Sequence, residues 1–259
     1  MVNRARFSAA FSFGRPILVI PHFMLHHLRI DKTALIVVSF SLSVIMANIL
    51  PVEKQIAVIG ALAEGISVRG ASRMTGIHQD TISRLSLRVG NACQKMLDEK
   101  MRELPCQNIQ VDEMWGFIVK KQRNVTGKEP GFVGDVWTYV ALDAETKLVP
   151  CFAVGKRDSE TTNAFIADLA TRMKNRVQLT TDGMNQYIST IEEEFGTEVD
   201  YGQSLKVMSE PVFNPERRYS QPYVKAVASK VILGNPDVDL ISTSHVERQN
   251  LTIRTHSRR

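Results

Sequence analysis

A chain of 259 residues, 44% hydrophobic and 23% charged, has the profile of a globular protein with material for one large domain or two small ones. Its three cysteines, Cys93, Cys106 and Cys151, are widely spaced, which excludes a C-x-x-C zinc knuckle and a disulfide framework and suits a reducing cytosol. The net charge of +5 says little about partners: residues 1–45 hold five basic residues and one acid, while the remainder balances 27 basic against 26 acidic residues.

Residues 1–45 differ from everything that follows, being poor in acids and rich in scattered apolar side chains. The run "ALIVVSFSLSVIMANIL", 34–50, has 17 residues, the short limit for a membrane span. A signal peptide would carry its apolar core nearer the start. A membrane anchor, an N-terminal extension and a start assigned too early all remain open. The last is the expectation, with Met46 as the natural beginning and no membrane association.

From Val52 the pattern is helical: Val52, Ile56, Ile59, Leu62 or Ala63, and Ile66 follow helix spacing, and Gly65 breaks it. "SVRGASRMTG" predicts a short helix stopped by Gly76. "IHQDTISRLSLRVG" predicts a third, with Ile82, Leu85 and Val89 on one face and Asp80 in the first turn. Helix, short helix, glycine turn and helix is the helix-turn-helix pattern. Gln79, Thr81, Arg84 and Arg88 on the third helix, with Arg69 and Arg73 on the second, are side chains suited to phosphates and base edges. A small helical bundle with a solvated basic face is the alternative. "CQKMLDEKMRELP", 93–105, reads as a charged connecting helix ended by Pro105, with the domain boundary about there.

Beyond Pro105 the period becomes two. "NIQVDEMWGFIVKK" alternates Ile109, Val111, Trp115, Phe117 and Val119. "VWTYVALDAETKLVPCFAVG" predicts strands 136–142 and 148–154 around a turn at Asp143–Thr146. "RDSETTNAFIADLATRM" predicts a helix capped by Asp158 or Ser159, with Phe165, Ile166, Leu169 and Met173 buried. "VQLTTD" is a strand and "MNQYISTIEEEFG" a helix; "SLKVMS" is a fifth, ambiguous strand. The proline-rich stretch 209–227 reads as a loop, and the chain is helical again from about Ser244. Three strands in a meander followed by helix, strand and helix predict an α/β (α+β) layer.

Asp112 sits in mid-strand, where Asp is disfavoured and an unpaired buried carboxylate is costly. Asp182 ends another strand, and Glu247 lies on the last helix. Three carboxylates from three elements can converge at one sheet edge. Such a site repels itself until hard divalent cations neutralise it, and two of them together suit phosphodiester chemistry. Glu113, Asp135 and Asp143 compete for the same role, and spacing does not choose among them.

"VDEMWGFIVKK", "TTDGMNQY" and "SHVERQNLTIRTHSRR", in this order, resemble the transposases of insertion sequence one and its relatives. These are acidic-triad (DDE) enzymes with a fold like ribonuclease H and retroviral integrase. The resemblance covers about Met46 to Arg259. It implies a helix-turn-helix domain over 46–104 and a ribonuclease-H-like mixed sheet flanked by helices over 105–259. It also implies a catalytic, metal-binding triad of Asp112, Asp182 and Glu247, with His245, Arg248 and Asn250 in support. Its further implications are two Mg²⁺ or Mn²⁺ ions, double-stranded DNA as substrate and target, a homo-oligomer on DNA, and a cytoplasmic, nucleoid-associated location. The family's cysteine-rich zinc element has no counterpart before Cys93, and its basic, aromatic-containing tail would follow Arg259; a chain without that tail is expected to cleave weakly. The rival expectations are a DNA-binding repressor or inactive remnant, and a structure-specific nuclease using the same metal site.

Overall fold

The structure, a computed structural model, describes residues 49–209 and 223–257. The extension 1–45 and the start at Met46 therefore lie outside the described residues. Among the described residues no helix is long and apolar enough to cross a membrane.

Three helices come first: α1 (Val52–Ala63), α2 (Val68–Thr75) and α3 (Gln79–Lys100). Ser67 caps α2 by accepting from the Gly70 N–H at 3.1 Å. Gly76 stops the helix at φ +70°, a left-handed conformation that glycine adopts without a Cβ penalty. The chain then re-enters a helix within three residues. Val58, Ile59, Ala71, Ile77, Ile82 and Leu85 close a small core between the three helices. The sequence predicts a break before residue 93, but α3 runs unbroken through it. Its second half places Cys93 and Leu97 against the sheet. Helix-helix packing and helix-sheet packing thus share one 22-residue element.

The sheet has six strands: β1 (Asn108–Ile118), β2 (Gly134–Asp143), β3 (Phe152–Gly155), β4 (Val177–Thr181), β5 (Val199–Met208) and β6 (Val224–Leu233). Their order is β3-β2-β1-β4-β5-β6. β1, β2 and β3 form an antiparallel meander, β4 and β5 run parallel to β1, and β6 returns antiparallel. This mixed order is compatible with a ribonuclease-H-like sheet. Helices α4 (Ser159–Ala170) and α5 (Gln186–Phe195) link the parallel strands, and α6 (Ser244–His256) closes the chain. Asp158 caps α4, accepting from Thr161 N–H at 2.9 Å.

Period-two alternation divides the strands between two faces. One face carries Ile109, Val111, Tyr139, Ala141, Leu179 and Tyr201 against Phe165, Ile166 and Leu169 of α4 and Tyr187 and Ile191 of α5. The other carries Met114, Val140 and Leu142 against Cys93 and Leu97 of α3 and Val246 and Ile253 of α6. With both faces covered, a central strand such as β1 buries consecutive residues.

Three expectations differ from the fold. The third strand of the meander begins at Phe152, not 148, because Pro150 has no N–H for the ladder. β5 reaches ten residues where a short strand was expected. β6 was not anticipated at all: it is an edge strand exposed at most positions, so it has no buried face to impose alternation.

Candidate active site

β1 pairs with β4 in parallel, with Asn108 opposite Gln178, Ile109 opposite Leu179 and Gln110 opposite Thr180. Continuing that register two steps, just beyond the last pair, sets Asp112 level with Asp182. Side-chain parity puts both on the α6 face of the sheet. A strand that ends there frees its backbone to turn, and Asp182 uses this: its Oδ1 accepts the Met184 N–H at 3.0 Å. Gly183 packs closely here: a Cβ would lie 2.6 Å from Leu205 Cδ2 and would push that side chain aside. β4 thus gives way to a carboxylate at the point where β1 and β4 part.

Helix α6 delivers the third carboxylate, and its position is fixed from β1. Gln110 Oε1 accepts the backbone N–H groups of His245 at 2.9 Å and Val246 at 3.1 Å, satisfying two first-turn donors. Glu247 follows in the same first turn, where the helix dipole favours an acid. Asn250, three residues on and on the same side of the helix, donates from Nδ2 to Asp112 Oδ2 at 2.8 Å. Asp112, Asp182 and Glu247 all line one cavity of about 610 Å³, with Arg157, Ser204, Lys206 and Thr243 among the other lining residues.

Within this cavity the three predicted carboxylates are not equally close. The tightest acidic group is Asp112, Glu113 and Asp182, each with one oxygen within 4.8 Å of the others. Glu247 stands apart from it, bonded by Lys206 and by the Thr243 hydroxyl. Burial pushes the Asp112 carboxyl up to about 6; the Asn250 bond opposes the rise, and the charges of Glu247 and Asp182 add to it. Burial likewise pushes Glu113 up to about 7, against the Tyr187 hydrogen bond.

Glu113 sits on the opposite face from Asp112, as a neighbour in a strand must. Its side chain is only 2% exposed. The Tyr187 hydroxyl donates to Oε1, and Arg157 Nη2 donates to Oε2 at 3.1 Å. With both oxygens engaged, Glu113 is a poorer metal ligand than its distance alone suggests. The other competing acids have local duties: Asp135 accepts the Gln122 N–H at 2.9 Å, and Asp143 accepts the Thr146 N–H at 3.1 Å in the predicted turn.

The anionic groups that face the cavity are carboxylates, Asp112, Asp182 and Glu247, which fits a hard cation such as Mg²⁺ or Mn²⁺. Of the three supporting residues, Asn250 touches Asp112, while His245 contributes its backbone N–H and exposes its side chain. Arg248 is exposed and does not line the cavity. Sequence reasoning missed Gln110, Thr243, Arg157 and Lys206.

Arg69, Arg73, Gln79, Thr81, Arg84 and Arg88 are all exposed. Thr81, Arg84 and Arg88 lie at helical spacing along the exposed side of α3, flanking Ile82 and Leu85, which enter the small core.

No protein-family model matches the chain, and no curated protein does. Among solved structures it is similar to piggyBac transposase in a synaptic complex with hairpin DNA, at 12% identity and a TM-score of 0.41, over 93% of this chain and 67% of that one.

Proposed function

We propose that the chain is a DNA transposase of the acidic-triad class, related to insertion sequence one, which binds element ends and catalyses metal-dependent strand cleavage and strand transfer. The observation that carries the reading is the meeting of Asp112, Asp182 and Glu247, from three elements, in one cavity where β1 and β4 part. Residues 46–104 form the helix-turn-helix unit, and 105–259 the catalytic one, with α3 packed against both cores. Arg84, Arg88 and Thr81 meet duplex DNA from α3, with Gln79 at its start and Arg69 and Arg73 beside it on α2. A homo-oligomer on DNA would bring two ends together.

Asp112, Asp182 and Glu247 would hold two Mg²⁺ or Mn²⁺ ions. When bound, such ions activate an attacking oxygen and stabilise the departing one at a phosphodiester. The protein's part is positioning. Asn250 sets the Asp112 carboxylate, the Met184 N–H sets Asp182, and Gln110 pins the helix turn that carries Glu247. No serine or tyrosine nucleophile is required, so water serves the cleavage and the freed 3′-hydroxyl the transfer.

The test is incubation of end-containing DNA with the chain in Mg²⁺, followed by analysis for nicked and joined products. Nicks without joined products would indicate a structure-specific nuclease; DNA binding with no nicks would indicate a repressor or inactive remnant. One observation favours that second reading: Glu247 is held by Lys206 and Thr243 away from the two aspartates.

A further inference from the structure

Two cations line the cavity, and each is paired with a different carboxylate of the proposed triad. Arg157 Nη2 reaches Asp182 Oδ2 at 3.4 Å, and Lys206 Nζ bonds Glu247. The two pairs are held differently. Arg157 is anchored from behind: its guanidinium lies 4.9 Å from the centre of the Trp137 ring and 3.1 Å from the buried Glu113 carboxylate. Among the described residues both of its hydrogen bonds leave from Nη2, so the rest of the fork has no acceptor there. The contact with Asp182 is long for a charge-assisted bond. Arg157 therefore keeps its place without Asp182. Among the described residues Lys206 has no such anchor; it is a flexible stem paired with Glu247.

We propose that Arg157 and Lys206 are the phosphate-binding residues of this site, held by Asp182 and Glu247 until divalent cations take those carboxylates, then released to backbone phosphates of the bound DNA. This rests on the reading of the cavity as a site for cations and DNA. Charge supports it. Asp112, Asp182 and Glu247 outnumber Arg157 and Lys206, and Glu113 behind Arg157 adds to the negative side, so the metal-free cavity is negative. Two divalent ions reverse that balance and make the cavity positive. Such a cavity attracts a polyanion. The Arg157 fork suits bidentate contact with one phosphate, and Lys206 supplies a point charge to another. Metal loading and DNA binding are thereby coupled through the same two side chains.

The experiment uses the full chain, its Lys206→Gln and Arg157→Gln variants, and an Arg157→Lys variant in case Arg157→Gln fails to fold. Mn²⁺ binding is measured by calorimetry without DNA, and duplex affinity is measured over a salt series in Ca²⁺ and in EDTA. The variants should bind Mn²⁺ at least as tightly as the parent, since a competing cation is gone. Their duplex affinity should fall about 3- to 10-fold in Ca²⁺ only, with a salt slope shallower by about one unit. In EDTA they should match the parent; Arg157→Lys, which keeps the charge but loses the fork, should fall between. Weaker Mn²⁺ binding by Lys206→Gln would mean that Lys206 merely props Glu247, and an equal loss in EDTA would mean an ordinary surface contact; either overturns the proposal. If the parent itself binds no Mn²⁺ and gains nothing from Ca²⁺, the metal-site reading has failed, and this inference with it. If the parent does both and the variants copy it, only this inference has failed.

Discussion

Asp112 and Glu113 are adjacent on one strand and belong to different worlds. Glu113 faces the α4–α5 side, nearly sealed, with Tyr187 on one oxygen and Arg157 on the other. Asp112 faces the α6 side, lines an open cavity and accepts one hydrogen bond from Asn250. Burial raises both carboxyls. The difference lies in what remains to bond. A carboxylate whose lone pairs are satisfied by protein donors holds the fold together, whereas one with acceptor capacity left in a polar cavity is available to a cation. Proximity in space does not separate the two; the direction and occupancy of their oxygens do.

The largest effect should come from the cavity side. Asp182→Asn keeps the size of the side chain and its bond from Met184 but removes one charge and one metal ligand. Mg²⁺-dependent cleavage should drop by at least about 10²-fold, the scale for a misplaced catalytic group, while duplex affinity in EDTA stays within twofold. Cleavage by Asp182→Asn at the parent's rate would remove Asp182 from the site. The same substitution scheme applied to Asp112 should give the same result.

Next in size is the buried side. Glu113→Ala strips Arg157 and Tyr187 of their shared acceptor and leaves a cavity in the sheet. Removing one partner of a buried ion pair typically costs about 3–5 kcal/mol; because Arg157 is partly exposed at 38%, the expectation here is the lower part of that range. Urea unfolding monitored by circular dichroism gives the value. A stability unchanged by Glu113→Ala, joined to lost metal binding, would reverse the roles assigned to the two neighbours.

A third effect distinguishes the neighbours by pH. The folded-state pKa of Asp112, about 6, lies above its ordinary value of 3.8, and that of Glu113, about 7, above 4.5. Between those limits the folded protein binds more protons than the unfolded chain, so stability falls as pH rises. Metal-free protein should therefore be more stable near pH 5 than near pH 7.5. Asp112→Asn carries no such penalty and should gain on the order of 2 kcal/mol at pH 7.5. Mg²⁺ should flatten the parent's pH profile by stabilising the charged form. A melting temperature that rises from pH 5 to 7.5 without metal would contradict the sign.

What the sequence made legible follows from how local each signal is. Gly76, the Asp158 cap and the alternation in β1 act within a few residues, and those elements lie where they were expected. Asp112 and Asp182 stood out because a carboxylate inside or at the end of an apolar strand is unusual. Arg157 and Lys206 did not, because a basic residue before a helix cap or on an exposed strand is ordinary; only the three-dimensional pairing with Asp182 and Glu247 marks them. Glu113 was visible only as a competitor, since its partners lie 44 and 74 residues away. The edge strand β6 has no buried face, so period-two reasoning had nothing to read.

The smallest expected effect lies away from both neighbours, on the exposed face of α3, where charge acts at long range. Arg84 and Arg88 are solvent-exposed, with Ile82 and Leu85 beneath them in the small core. Replacing either with alanine removes no buried contact, so folding stability should hold within about 0.5 kcal/mol. Each arginine that contacts a phosphate releases about one counterion on binding. Arg84→Ala and Arg88→Ala should therefore each weaken duplex binding several-fold and make its salt dependence shallower by about one unit. Unlike the loss expected at Arg157 and Lys206, this one should be equal in EDTA and in Ca²⁺, because α3 holds no carboxylate that a cation must first occupy. If both variants bind as the parent does across the salt series, α3 is not the DNA-contacting helix. If instead their loss appears only with divalent cation, the helices and the cavity act on DNA as one surface.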